Sequence, residues 1–224
     1  MSPTNKERIR LAGAALAVLA LAGCGGTPTR YYTLAEPSAP SAAQQRATAD
    51  AATLVIEMAP VAMPERFARP QLVVRRTGSV LQGEQKAAER AQAEVEVLEQ
   101  SRWSSSFEYE MRDALGAGIA QRLSAFDATQ VGRPRGVPVY RIAVQMRQFD
   151  ALPGERIDSA FGWSVRRSDS DALLTCQMQL SESVTGGLDG VATGAQRIAG
   201  RLADEIARNV SALAASQPAR CPAA

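Results

Sequence analysis

Residues Val139–Phe149 read VYRIAVQMRQF. Tyr140, Ile142, Val144 and Met146 alternate with Val139, Arg141, Ala143, Gln145 and Arg147, a period of two that puts one set on the buried face of a strand and the other on its solvent face. Pro153-Gly154 then makes a turn, and Ile157–Val165 and Ala172–Leu180 supply two further strands, which together form a meander. Gly186, Gly187 and Gly190 break that pattern. Beyond them Ile198, Leu202, Ile206, Val210 and Leu213 recur at helical spacing on one face. On the other side of the meander, Phe107, Met111, Leu115, Ile119 and Leu123 repeat every four residues, with Glu108, Arg112 and Arg122 off the stripe, so this segment is an amphipathic helix. Ser104 to Ser106 offer its N-cap.

Further upstream, Leu54-Val55-Ile56 runs into Met58, Pro60 and Pro64 interrupt, and Gln71–Arg75 resumes an extended pattern: two strands joined by a loop. Val95 and Val97 among Glu94, Glu96 and Glu99 read as a half-buried strand, and Tyr31-Tyr32-Thr33-Leu34 as a brief one. The charged, alanine-rich Gln82–Glu94 segment reads as a short exposed helix or as disorder, and Ala35–Ala52 as a flexible loop. The order of strands, helix, three strands and helix predicts a single α+β domain over residues 53–214, a mixed sheet with both helices on one face, followed by a tail at 215–224. Gly116 and Gly118 sit inside the first helix at about 1 kcal/mol each relative to alanine. Close packing against the sheet accounts for them more simply than contact with a neighbouring subunit.

At the N-terminus, Lys6, Arg8 and Arg10 precede Leu11–Ala22, a run without charge that falls short of the roughly 20 apolar residues of a membrane-spanning helix. Residues 1–23 therefore read as a signal peptide. Leu21-Ala22-Gly23-Cys24 resembles the lipobox of bacterial lipoproteins. That resemblance implies that Cys24 is acylated and becomes the first residue of the mature chain, and three acyl chains give stable membrane attachment. Gly25, where an aspartate would retain the protein at the inner membrane, implies the outer membrane and its periplasmic face. Residues 24–52 would then hold the lipid site, the short strand and the loop.

Taking Lys6, Arg8, Arg10 and Glu7 from 25 basic and 23 acidic residues leaves 22 of each. A neutral mature chain has no electrostatic reason to bind nucleic acid. Histidine is absent, which removes the usual general base and the commonest metal ligand. There is no nucleophile elbow, phosphate loop or dinucleotide fingerprint. No enzyme, cofactor or metal is expected. Cys176 and Cys221 either pair, stapling the tail to the domain in an oxidising compartment, or remain as two thiols.

Several stretches together resemble one family. YYTL behind the lipobox, IEMAPVAMPERFARPQLVVRR, EQSRWSSSFEYEMRDALGAGIAQRL, and YRIAVQMRQFD followed by GWSVRR are similar to the ABC-type transport auxiliary lipoproteins, the PqiC/YmbA group, over about Tyr31 to Leu213. Ser104-Ser105-Ser106 stands where family members tend to carry an acidic residue and a proline, and Gln82–Ala93 reads as an insertion. The resemblance implies a non-catalytic companion of MCE-domain transport systems, in which a periplasmic tunnel protein carries lipid between membranes with inner-membrane components. The lipoprotein would anchor in the outer membrane, self-assemble into a homo-oligomer such as a ring, and dock the tunnel. Arg66, Phe67 and Arg69 are the candidate contacts, since arginines and aromatics are over-represented among interface hot spots. A free-standing structural or tethering envelope lipoprotein is the competing reading, and a small-molecule binding module the third.

Overall fold

A computed structural model of the chain describes residues 27–35, 54–75 and 94–222. The signal peptide, Cys24, most of the Ala35–Ala52 loop and the Gln82–Ala93 segment lie outside the described residues. The elements are β1 (Arg30–Tyr32), β2 (Val55–Met58), a 3-10 turn (Glu65–Phe67), β3 (Gln71–Arg75), β4 (Val95–Trp103), α1 (Phe107–Leu123), β5 (Phe126–Asp127), β6 (Val139–Leu152), β7 (Arg156–Arg167), β8 (Leu173–Ser183) and α2 (Gly187–Ala214).

The fold is α+β with two helices, as the sequence pattern predicts. Its strands divide between two mixed sheets: β1-β4-β3, and β5-β2-β6-β7-β8. In the larger sheet β2 pairs in parallel with both β5 and β6, while β6, β7 and β8 form the antiparallel meander. Met58 lies opposite Ile142, which lies opposite Val165, and Val144 lies opposite Trp163. Cross-strand partners share a face, so these side chains all point one way. Met58 meets α1 beside Gly116, and Trp163 Nε1 donates to Asn209 Oδ1 of α2 at 2.9 Å. Both helices therefore cover the same face of this sheet. The opposite face carries Arg141, Ala143, Gln145 and Arg147, all exposed.

The stripe of α1 is buried at Phe107, Met111, Leu115 and Ile119, and that of α2 at Ile198, Leu202, Ile206 and Val210. Gly116 and Gly118 act within the chain. A Cβ on Gly116 would stand 2.7 Å from Asp127 Oδ2 and 3.3 Å from Met58 Cγ, and one on Gly118 would stand 3.3 Å from Ala203 Cβ of α2. Sheet contact thus explains the first glycine and helix-helix contact the second. α2 begins eleven residues ahead of its apolar stripe, at Gly187, inside the cluster that reads as a breaker. The reason is again close approach: a Cβ on Gly190 would lie 1.8 Å from the Thr185 carbonyl oxygen, and one on Gly194 would lie 2.4 Å from Val184 Cγ1.

The small sheet joins the large one at the far end of β6. Trp103 and Phe107 stack at 5.0 Å, Phe107 meets Phe149 edge-on at 5.0 Å, and Phe67 lies 6.1 Å from Phe149. Such aromatic pairs add about 0.5–1.5 kcal/mol each beyond their buried area. Arg75 Nη2 sits 2.9 Å from Asp150 Oδ1 on the same border. Cys176 of β8 and Cys221 of the tail form a disulfide with a Cα–Cα separation of 5.3 Å. Asn209 continues the attachment, since its Nδ2 donates to the Arg220 carbonyl at 3.0 Å.

Candidate functional site

The loop between β2 and β3 is built as a rigid shelf. Ala59 N–H donates to Ile142 O at 2.8 Å and Ala62 N–H to Val144 O at 3.0 Å, while Met146 N–H donates to Ala62 O at 2.8 Å. These bonds fix its first half along β6. Its second half closes as a 3-10 turn, with Phe67 N–H donating to Pro64 O at 2.9 Å and Ala68 N–H to Glu65 O at 3.0 Å. Pro70 O then accepts from Trp103 N–H at 2.6 Å, and Arg69 O from Phe107 N–H at 3.3 Å. The loop is thereby tied to the start of α1.

The three candidate contacts separate on this shelf. Phe67 is 4% exposed because its ring completes the aromatic cluster, so it holds the loop in place rather than presenting a surface, and the sequence reading of it as a contact is corrected. Arg66 is exposed and lies over the Phe67 ring, 4.5 Å from its centroid. Arg69 is half-buried, and its Nε is buried without a hydrogen-bond partner. A planar guanidinium, such as that of exposed Arg66, suits a carboxylate or carbonyl on an approaching protein.

The helix start beside this loop is organised by a residue the sequence reading passed over. Ser106 is the N-cap of α1 and makes no side-chain cap bond. Glu110, 8% exposed, takes that role from one turn inside the helix. Its Oε1 accepts from Ser104 Oγ, from Ser105 Oγ at 3.1 Å and from Ser105 N–H at 3.2 Å. Its Oε2 accepts from Thr33 Oγ1 and Leu34 N–H, each at 2.8 Å. Burial pushes the carboxyl upward in pKa, but the bonds from Ser104, Leu34, Thr33 and Ser105 together hold it below the usual carboxylate range. The only sequence signal is an acidic residue one turn behind three serines.

Glu110 thus fastens the Thr33–Leu34 segment to α1, and a second carboxylate fastens β1 to α2. Asp189 accepts from Arg30 Nη2 at 2.8 Å and from Tyr32 Oη at 2.8 Å, and these bonds, Tyr32 first, lower its pKa. Gln196 Nε2 donates to Thr33 O at 2.9 Å, and Ser104 N–H donates to Tyr32 O at 2.7 Å. β1 has only three residues, yet α2 holds it directly and α1 holds the two residues that follow it. Among the described residues no three of Cys, Asp and Glu gather as a metal site, and no helix is long and apolar enough to cross a membrane.

The family of ABC-type transport auxiliary lipoprotein components matches residues 80–207, more than half of the chain. The chain belongs to that family. An uncharacterized protein of known crystal structure shares the fold with this auxiliary lipoprotein at a TM-score of 0.60 and 16% identity, covering 82% of this chain and 99% of its own. A protein from Xanthomonas campestris aligns at a TM-score of 0.48 and 12% identity over 80% of this chain and 89% of its own. A putative lipoprotein from Caulobacter crescentus CB15 aligns at 0.33 and 11% over 48% and 85%. No curated protein matches the auxiliary lipoprotein in sequence.

Proposed function

We propose that this auxiliary lipoprotein is the non-catalytic docking component of an MCE-type intermembrane lipid transport system, anchored by acylated Cys24 at the periplasmic face of the outer membrane. Membership of an ABC-type transport auxiliary family supports the association with transport. The observation that carries the docking role is the shelf at Pro64–Arg69, pinned at both ends, with Arg66 exposed upon it. Ordering is a large cost of association, and a loop held rigid before binding avoids it. The body self-assembles and meets the end of the tunnel protein, while inner-membrane components act at the other end. Neither cofactor nor nucleic acid takes part.

Photoreactive residues at 66 and 69 in cells test this. The expected conjugates contain an MCE-domain protein or a second copy of the chain. Conjugates with peptidoglycan-associated or unrelated envelope proteins alone, together with a monomer in gentle detergent, would favour a structural lipoprotein instead.

A further inference from the structure

The two ends of the molecule differ, and the segment that follows Cys24 joins the body at one of them. β6 has 14 residues and α2 has 28, so both run about 40–45 Å from end to end at ~3.3 Å per strand residue and ~1.5 Å per helix residue. The β1-β4-β3 sheet, the β6–β7 turn and the start of α2 gather at one end, as the Arg75–Asp150 and Arg30–Asp189 ion pairs and the Phe107–Phe149 contact show. β1 emerges there. The six residues from Cys24 to Arg30 reach no more than about 20 Å, whatever their conformation, which is half the length of the body.

The opposite end is formed by the loop from Thr129 to Pro138, the start of β6 and the β7–β8 turn. Val139 N–H donates to Ser168 Oγ at 2.9 Å, and Ser168 N–H donates to Val139 O at 3.0 Å, joining the loop to the turn. Val131, Val137 and Leu173 are exposed there by 68%, 37% and 52%. Around them stand Arg133, Arg135, Arg141 and Arg166, the last opposite Leu173 and Arg141 in the sheet register. Glu57 neutralises part of this charge: Arg133 Nη2 lies 2.8 Å from it and Arg141 Nε 4.0 Å. The bond from Arg133 outweighs burial and lowers the Glu57 pKa. Asp169 pairs with Arg167 at 2.7 Å. Asp171 adds a third carboxylate in the same turn, so Arg133, Arg135, Arg141, Arg166 and Arg167 against Glu57, Asp169 and Asp171 leave a positive excess among apolar side chains.

We infer that this distal end is the surface that receives the transport partner, through carboxylates set beside apolar side chains on the partner. Exposed valine and leucine beside arginine is the composition of an interface core with a charged rim, and the positive excess selects an acidic counterpart. A short tether at the opposite end holds the shelf of Arg66 and Arg69 toward the bilayer side and turns the distal loop into the periplasm, where a protein crossing from the other membrane arrives first. The inference rests on the anchoring and docking reading above and divides its two contacts: the tunnel protein meets the distal end, and the shelf meets a second copy of this chain.

The test places a photoreactive residue at 135, at 137 or at 66 in the full, lipid-modified chain in cells. Conjugates with the MCE-domain protein are expected from 135 and 137. Arg135→Glu with Arg166→Glu should lower the yield at 137 about tenfold or more, with the thermal midpoint unchanged because neither side chain carries a structural contact. MCE conjugates from 66 alone would overturn the distal assignment and leave the docking reading standing. Capture at 135 and 137 of only lipid or a second copy would overturn it as well. No MCE conjugate from any of the three positions would reject docking itself, and the distal surface with it.

Discussion

Replacing Glu110 by glutamine tests how β1 is held, and the size of the effect follows from the bonds. Each carboxylate oxygen accepts from one backbone N–H, Leu34 on one side and Ser105 on the other. A glutamine has one oxygen and one NH2, so in either orientation it confronts one of those N–H groups with another donor. Serine and threonine hydroxyls can rotate away; a backbone N–H cannot. Stranding one buried donor costs about 1–3 kcal/mol, and the surviving bonds lose the advantage of an ionised acceptor. Glu110→Gln should therefore destabilise by about 2–4 kcal/mol, which for a domain of this size lowers the thermal midpoint by about 5–15 °C. The pH dependence has a definite sign. The folded-state pKa of Glu110 lies below its ordinary value, so its stabilisation is complete above the unfolded value of 4.5 and fades as pH falls through the folded one. Thermal melts followed by circular dichroism at pH 7 and pH 3 should show a large deficit at pH 7 and a smaller one at pH 3. A variant melting with the wild type at pH 7, or showing an equal deficit at both, would refute the assignment of Glu110 as the clasp.

Two further outcomes are expected. Cys221→Ser opens a loop with a sequence separation of 45 and should cost up to about 4 kcal/mol in the chain-entropy model, read as a lower urea midpoint under non-reducing conditions; an unchanged midpoint would show that the tail adds nothing to the domain. Gly190→Ala gains about 1 kcal/mol of helix propensity but drives a methyl into the Thr185 carbonyl, and the net loss should be about 2–3 kcal/mol. A rise in the unfolding free energy would mean that the start of α2 shifts freely.

Local periodicity made the helices and the meander legible. The stripes of α1 and α2 and the alternation in β6 each follow from which face is buried, and they survive in the structure because core packing selects the same residues. What escaped was non-local. Nothing in Val55–Met58 says that it slots between Phe126–Asp127 and the start of β6, nor in Arg30–Tyr32 that it pairs with Ser101–Trp103 and founds a second sheet. β5 has two residues, too few for any pattern. Gly187 and Gly190 look like breakers because propensity is a local quantity, whereas here Gly187 supplies a backbone turn with φ +63° and the Thr185 carbonyl leaves room only for a hydrogen at Gly190. At the candidate site, the sequence located the loop and its arginines. It could not separate Phe67, which packs inward, from Arg66, which faces out, because a loop without regular elements has no face until the rest of the fold supplies one.

The place of β2 has a consequence for the order in which the chain assembles. β2 is complete at Met58, but its partners begin at Phe126 and Val139, so it waits for long stretches of later chain. The β6, β7 and β8 hairpins close through short turns and have no such delay, since local contacts form before distant ones. An early intermediate would thus hold the meander with a vacant slot, about 10 Å wide at ~4.8 Å per strand spacing, between β6 and β5. Residues 80–207, the stretch by which the family is recognised, would stop at that point, with two unpaired strand edges flanking the slot and no Asn209 or Cys221 to seat the tail. The boundary of family recognition is therefore not a boundary of folding, and a fragment cut there should self-associate through the edges that β2 covers in the full chain.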